Sequence, residues 1–436
     1  MKRLALLGGK PILKKPLPPY NSIGKEEELA ALKVMKKKIL SGFVGRAGDY
    51  FLGGKYVKEL EKRFCKYFNV QYAVSFNSAS TALQAAVGAL GIGPGDEVIT
   101  SPLTMAATAS AILFNSALPV FADIEENSFC LDPKSIERNI NEKTKAILVV
   151  NIFGSSANYD PILKMAKKHD LKIIEDNSQS PGATYKGKFT GTIGDIGVFS
   201  FNVHKVIQCG EGGMLVTGNK NYAFRAQLIR NHGEAVINDL CKLKNNEEKY
   251  EPILGNNFRM TEIQAAVAIE QFKKMDKLNK PRTTLASYLT KQLLQFKWLI
   301  PPMVFENSVH VYYGYAFRFL KEKIGIEGET FMKAMESEGF ELVNGCEDPV
   351  HLMPVYQKQQ IYPNSRFPFI SEEYPHKVSY KKGICPVTEK MSEKNLLETS
   401  ICQPPQTKKD IDLFIKAVKK IEQNIEELKK YENKKA

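Results

Sequence analysis

Between Tyr72 and about Val216 the chain repeats one pattern, a short apolar run followed by a turn and a helical stretch. This alternation constrains the fold more than any other feature, because parallel strands are joined only by long crossovers, usually helices that then cover the sheet. The expectation is an α/β fold with a mainly parallel sheet and a ligand site at the carboxyl ends of its strands. At 436 residues, 43% of them hydrophobic, the chain is long enough to add a second, smaller unit with its own core.

Within that region, Gly194 to Gly213 reads GDIGVFSFNVHKVIQCGEGG. The spacing predicts a strand over Ile196–Phe201, a polar turn, Lys205, and a glycine-rich segment. A lysine there has two readings, a surface residue at a strand end or an amine held in a pocket. In a pocket, desolvation disfavours the ammonium, and the neutral amine can attack a carbonyl. Two upstream segments bear on the choice. Leu171–Ile174 reads as a buried parallel strand with Asp176 at its carboxyl end, a carboxylate able to hold a proton on a pyridine nitrogen. Gln179, three residues on, carries donor and acceptor atoms suited to a phenolic oxygen. Strand Tyr72–Phe76 turns through Asn77, Ser78, Ala79 and Ser80 into a helix expected to start near Thr81, whose free N–H groups and positive end suit a phosphate. An amine, an acid for a ring nitrogen and an anion cradle are what an aldehyde-bearing pyridine with a phosphate arm requires.

In this order and at these separations, the phosphate turn, Asp-x-x-Gln, Ser-Phe-x-x-x-Lys and Gly-Glu-Gly-Gly resemble the DegT/StrS-type aminotransferases of nucleotide sugars and cyclitols. These are pyridoxal phosphate enzymes of fold type I, in the aspartate aminotransferase superfamily. Gly91–Thr104, Ala117–Pro133, Thr144–Gly154, Arg230–Glu234 and Gly255–Ala268 are similar to family segments as well. The resemblance runs from Leu4 to Glu427 and is tightest up to Gln271. It implies a large cofactor-binding domain over residues 56–280 with a mainly parallel seven-stranded sheet flanked by helices. A smaller α+β C-terminal domain would cover 281–436, and an N-terminal arm and helix, 1–55, would pack on the small domain and the active-site mouth.

The resemblance also implies roles. Lys205 would form the Schiff base with pyridoxal 5′-phosphate and later carry the proton, Asp176 would pair with the pyridinium nitrogen, and Gln179 would face the phenolic oxygen. Ala79, Ser80 and the Ser200 hydroxyl would hold the phosphate. Asn257, in Gly-x-Asn-x-Arg, would come from a neighbouring subunit, which implies a homodimer with shared active sites. Arg259 of the same motif is either structural or substrate-binding. The implied activity moves an amino group from glutamate or glutamine to a keto group of a nucleotide-linked sugar or a cyclitol. The alternatives are a dehydratase or aromatising synthase of the same fold, and a noncatalytic regulatory paralogue.

Several positions depart from the family pattern. Met105 follows Thr104 where an aromatic residue usually stacks on the pyridine ring, and a thioether can also pack on an aromatic face. Alanine stands at position 79 where glycine is frequent, and asparagine at 151 where histidine is common. His204, beside Lys205, is either a pocket neighbour or an ordinary satisfied histidine. Cys385–Met391 resembles a Cys-Pro-Val-x-Glu segment of the cyclitol and 3-amino-5-hydroxybenzoate branches.

Lys2 and Arg3 precede only four apolar residues, Leu4–Leu7, too few for a signal peptide, and no apolar run approaches a membrane span. The seven cysteines are scattered without a C-x-x-C pair, which suggests reduced thiols in a cytoplasmic protein with no metal site. The net charge is +13, and Met1–Lys58 holds 13 basic and 4 acidic residues. That excess reads either as a solvated lysine-rich surface or as an electropositive rim for a diphosphate-bearing substrate. No nucleic-acid-binding motif accompanies it.

Helices are expected over Gly24–Leu40, Tyr56–Phe68, Thr261–Leu278, Phe331–Phe340 and Thr407–Glu432, the last with a Thr407/Asp410 capping box. His310–Leu320 reads as a strand whose Tyr312, Tyr313, Tyr315 and Phe317 are assigned to core, with pocket lining as the alternative. The proline-rich stretch Asn344–Lys382, with His351 and His376, has little periodicity.

Overall fold

The computed structural model describes residues 3–244, 252–374 and 378–434. Its central element is a seven-stranded sheet. The strands are β1 (Tyr72–Phe76), β2 (Glu97–Thr100), β3 (Leu118–Phe121), β4 (Thr144–Val150), β5 (Lys172–Asp176), β6 (Ile196–Ser200) and β7 (Gly213–Thr217). They lie in the order β1-β7-β6-β5-β4-β2-β3. Only β7 runs antiparallel, to both of its neighbours, so the sheet is mainly parallel as expected. β2, β3, β6 and β7 are buried along their whole length, because packed elements cover both faces.

Two boundaries move relative to the sequence reading, and both moves matter to the site. β5 extends to Asp176, which pairs with Val198 of β6, so the carboxylate is anchored in the ladder. The helix after β1, α3 in chain order (Ala79–Ala89), begins two residues before Thr81. Ser78 is its cap, accepting a hydrogen bond from the Thr81 N–H at 3.2 Å. The two helices before it, α1 (Lys25–Lys37) and α2 (Lys55–Phe68), match the expected spans closely.

A second, antiparallel sheet follows, with β8 (Leu299–Ile300), β9 (Tyr315–Phe319), β10 (Val343–Asn344) and β11 (Leu396–Thr399) in the order β8-β9-β11-β10. It has its own core, including Leu289, Phe317, Phe331 and Phe414, and Leu4 from the N-terminus joins it. The expected helix over Thr261–Leu278 is instead two, Glu262–Lys273 and Met275–Leu293, meeting at Lys274. The expected tail helix likewise divides at Asn424 into Lys408–Gln423 and Ile425–Asn433, and its Thr407/Asp410 capping box forms. The helix placed at Phe331–Phe340 spans Gly328–Ser337.

The expected strand over His310–Leu320 shrinks to β9. Tyr312 adopts a left-handed backbone, φ 51°, which breaks the extended run before Tyr315. The aperiodic stretch beyond β10 folds back on edge strand β3, seating Val350, Tyr356, Phe369 and Tyr380 against Leu118 and Phe121. His351 within it is fully buried and pairs at 3.0 Å with Glu389 of the Cys385–Met391 segment. His376 lies outside the described residues. Among the described residues no helix is long and apolar enough to cross a membrane.

One buried carboxylate organises the turn that feeds β6. Glu175 accepts hydrogen bonds from the N–H groups of Gly191, Ile193 and Gly194 at 2.6, 2.6 and 2.7 Å, and from the Tyr159 hydroxyl at 2.7 Å. Burial pushes its carboxyl pKa up, and these donors oppose the rise. Replacing Glu175 with alanine leaves three N–H groups unpaired, that of Gly191 buried and those of Ile193 and Gly194 partly so, and is expected to cost about 3 kcal/mol or more. Urea unfolding of E175A checks this; an unchanged midpoint would show that the turn does not depend on the carboxylate.

Candidate active site

Strand alternation carries the first groups into place. On β6, Ile196 and Val198 join the core that contains Ala82 and Leu83 of α3, while Phe199 packs on the opposite side with Phe64 and Phe68 of α2. Ser200, two residues beyond Val198, therefore projects toward the α3 side. On β5 the same alternation sends Glu175 into the turn described above and Asp176 to the other face. There the Asp176 carboxylate accepts from the Thr108 hydroxyl at 2.8 Å and from the Ser178 N–H at 3.1 Å. Thr108 belongs to helix α4 (Ala106–Leu113), and its hydroxyl is also 2.7 Å from that of Thr104.

After Ser200 the chain turns, with the Lys205 N–H donating to the Asn202 carbonyl at 2.9 Å. A cavity of about 420 Å³ opens at the carboxyl ends of β1, β4, β5 and β6. It brings together Ala79, Ser80, Met105, Asp176, Gln179, Ser200 and Lys205, seven of the residues singled out from sequence. Asn257 is not among its lining; it is exposed on this chain and accepts from Arg259 Nε at 2.7 Å. Arg259 also reaches Asn231, at 3.4 Å, and holds the Asn257 side chain. Met105 lines the cavity with 72% of its surface exposed, so its thioether is not committed to the core.

Burial of the Lys205 amine lowers its pKa, and the charges of Asp176 and Glu398 oppose that shift. The Tyr313 ring lies over the amine, 4.5 Å from Nζ to the ring centroid. Gln179 is oriented by a hydrogen bond from the Phe153 N–H to its Oε1 at 2.6 Å, which turns its amide NH₂ away as the free donor end. Asn151 lines the cavity too, but its side chain is committed to Asn177, Tyr159 and the Ala157 N–H. His204 is an exposed member of the lining.

The turn into α3 is pressed against β7. A Cβ on Gly213 would lie 2.5 Å from the Ser78 carbonyl oxygen and 2.6 Å from the Ala79 nitrogen. The backbone of the anion cradle thus sits where only glycine permits it. A helix N-terminus flanked by Ser80 and Ser200, a buried carboxylate oriented by threonine, and a desolvated lysine amine in one cavity fit pyridoxal 5′-phosphate.

The sequence profile of the DegT/DnrJ/EryC1/StrS aminotransferase family matches residues 43–396. This chain belongs to that family. It is 36% identical over 304 residues to the GDP-perosamine synthase of Caulobacter vibrioides, covering 70% of this chain and 79% of the relative. It is 30% identical over 440 residues to a putative L-glutamine:3-amino-2,3-dideoxy-scyllo-inosose aminotransferase of Streptoalloteichus tenebrarius, covering 98% and 99% of the two chains. Among solved structures, the aminotransferase from Psychrobacter cryohalolentis superposes with a TM-score of 0.79 at 26% identity, covering 94% of this chain and all of that one. The fold is that of the fold type I pyridoxal phosphate aminotransferases, and the protein is an enzyme of that aminotransferase kind.

Three contributors were not singled out as site residues. The sequence assigns Tyr313 to core with its neighbours, of which Tyr312, Tyr315 and Phe317 are buried there. Tyr313 escapes because left-handed Tyr312 takes it out of strand register and turns it toward Lys205. Thr108 and Glu398 carry no local signal, since both reach the site through contacts distant in sequence.

Replacing Gly213 with alanine is expected to push the Ser78–Ala79 turn out of place. Affinity for pyridoxal phosphate should fall about tenfold or more, equivalent to ~1.4 kcal/mol. Absorbance titration of G213A with the cofactor measures this, and wild-type affinity would mean that the turn tolerates the displacement.

Proposed function

We propose that the enzyme transfers an amino group from glutamate or glutamine to a keto group of a nucleotide-linked sugar or a cyclitol. The observation that carries this reading is the convergence of the Lys205 amine, the Asp176 carboxylate and the α3 N-terminus on one cavity. The relatives described above support it. One is named for a GDP-linked amino sugar, and the one that spans nearly the whole chain is named for a keto-cyclitol and L-glutamine.

When bound, pyridoxal phosphate supplies an electron sink for negative charge at the carbon that loses its proton. The chain's own groups do the rest. The N–H groups of Ala79 and Ser80 and the Ser200 hydroxyl would hold the phosphate. Asp176, fixed by Thr108 and the Ser178 N–H, would present negative charge to the ring nitrogen and keep it protonated. Gln179 would offer its amide N–H to the phenolic oxygen. The Lys205 amine, with its pKa lowered by burial, would take a proton at Nζ and return it, and Tyr313 would shield it from water.

We read the working unit as a cytoplasmic homodimer, with a large cofactor domain over 56–280, a small domain over 281–436 and an N-terminal arm before them. Exposed Leu29, Leu32 and Met35 on α1 and Ile39, Leu40 and Val44 just after it support a partner surface. Asn257, poised by Arg259 yet outside its own chain's cavity, supports its donation to a neighbouring site.

The wild-type protein loaded with pyridoxal phosphate is expected to absorb in the visible and to lose that band on addition of L-glutamate or L-glutamine, whereas Lys205→Ala shows no such band before donor is added. A wild-type protein that stays colourless would sink the reading. Asp176→Asn should retain the cofactor but lose roughly 100-fold or more in turnover; full turnover would remove Asp176 from the mechanism. Inactive K205A and N257A proteins, mixed and allowed to exchange subunits, should regain activity if Asn257 serves the neighbouring site, and mixtures that stay inactive would count against sharing.

A further inference from the structure

A second carboxylate approaches Lys205 from the other sheet. Glu398 lies on β11, paired with Ala316 of β9 and Val343 of β10. Its side chain occupies the space beside Gly314, where a Cβ would fall inside the carboxylate. Gly314 directly follows Tyr313, whose ring covers the Lys205 amine. The chain thus gives up a side chain at 314, which opens room for an acid next to the residue that roofs the lysine. Among the described residues the Glu398 carboxylate makes no hydrogen bond. Its charge is met through space by Lys205, in a partly buried position where a carboxylate without a hydrogen-bond donor carries a cost.

We propose that Glu398 is a positioning residue for Lys205, a carboxylate that works opposite Asp176 to hold the lysine amine in the cavity while the amine carries a proton. The proposal rests on Lys205 being the working amine. Asp176 acts on the lysine through space from β5, and Glu398 does so from β11. The other titratable or charged groups nearby are Tyr313 on the segment before β9, His204 and Glu211 on the lysine's own loop, and Arg282, which donates to the Tyr313 carbonyl at 3.4 Å. The Tyr313 phenol is pushed up to about 12 by burial and stays neutral through the working range. Glu211 is tied to the Asn202 amide at 3.0 Å. Burial raises the Glu398 carboxyl to about 7, while the attraction of Lys205 opposes the rise. The sign follows: above that pH the anion favours the ammonium and raises the lysine's pKa, and below it the support is lost.

The test uses the cofactor-free protein, so its outcome is separable from that of the proposed reaction. Reductive methylation of Lys205 by formaldehyde and cyanoborohydride, read by mass spectrometry of its peptide, reports the neutral amine as a function of pH. Glu398→Gln keeps the shape and removes the charge. Its lysine midpoint is expected to drop by about one pH unit, so that Lys205 is modified about tenfold faster at a fixed pH below the midpoint. Glu398→Asp should restore most of the wild-type rate. A wild-type rate in a folded E398Q protein would overturn the proposal. The wild-type profile is a second check independent of any variant: an inflection near pH 7 supports the coupling, and a single ionisation without one overturns it. In the loaded enzyme, a pH titration of the visible band should shift in the same direction in E398Q. A wild-type protein that never develops that band counts against the proposed function and leaves the methylation result standing.

Discussion

The end of β5 carries two adjacent carboxylates that do opposite things. Glu175 and Asp176 point to opposite faces of the strand because a strand's side chains alternate. Glu175 is spent on scaffold, gathering three backbone N–H groups and a tyrosine hydroxyl, and so fixes the turn from which β6 departs. Asp176 faces the cavity, oriented by one threonine and one backbone N–H. β6 in turn delivers Ser200 and Lys205. The acid is therefore held in the ladder, and the lysine follows on the short turn that leaves β6. A site built on such elements is held more precisely than one assembled from loops.

How much of this was legible in the sequence follows from how locally each part is determined. The apolar alternation from Tyr72 to Val216 specifies the parallel sheet, strand-end position points to Asp176 with Gln179 just beyond it, Lys205 stands out only beside those partner segments, and Ser200 enters through the family resemblance. The α3 turn is legible for the same reason, although the helix starts two residues before the expected Thr81 because Ser78, not a later residue, is the cap. Periodicity also overran two helix breaks, at Lys274 and Asn424, since a change of helix axis leaves the apolar spacing nearly intact. Tyr313 failed differently. Its apolar and aromatic neighbours read as one strand, and a single left-handed residue, Tyr312, redirects it with no compositional trace.

That redirected segment is tied to the cofactor side by a short relay. The Phe153 N–H orients Gln179, the Phe153 carbonyl accepts from the Gly314 N–H at 3.4 Å, and the Gly154 carbonyl accepts from the Val311 N–H at 2.8 Å. A Cβ on Gly154 would come within 2.6 Å of the Tyr312 and Tyr313 nitrogens. The backbones can therefore meet only at a glycine, and Gly154 itself has φ 96°. On the far side the Tyr313 carbonyl accepts from Gln403 at 3.1 Å and Arg282 at 3.4 Å. The ring over Lys205 is thus held from both sheets at once.

This division of labour explains why the two halves of the site read so differently. The half that meets the cofactor is made by strand ends and one helix N-terminus, where local sequence dictates position. The half that faces it is made by Tyr313, Gly314 and Glu398, brought together by pairing between residues some 80 positions apart in β9 and β11. In that half, the missing side chain at Gly314 leaves the space that the Glu398 carboxylate occupies. Such residues are specified jointly, so substitution at any one of them changes the requirement on the others. Variation in what the site accepts can accordingly arise there while the lysine, the acid and the anion cradle remain fixed by the sheet.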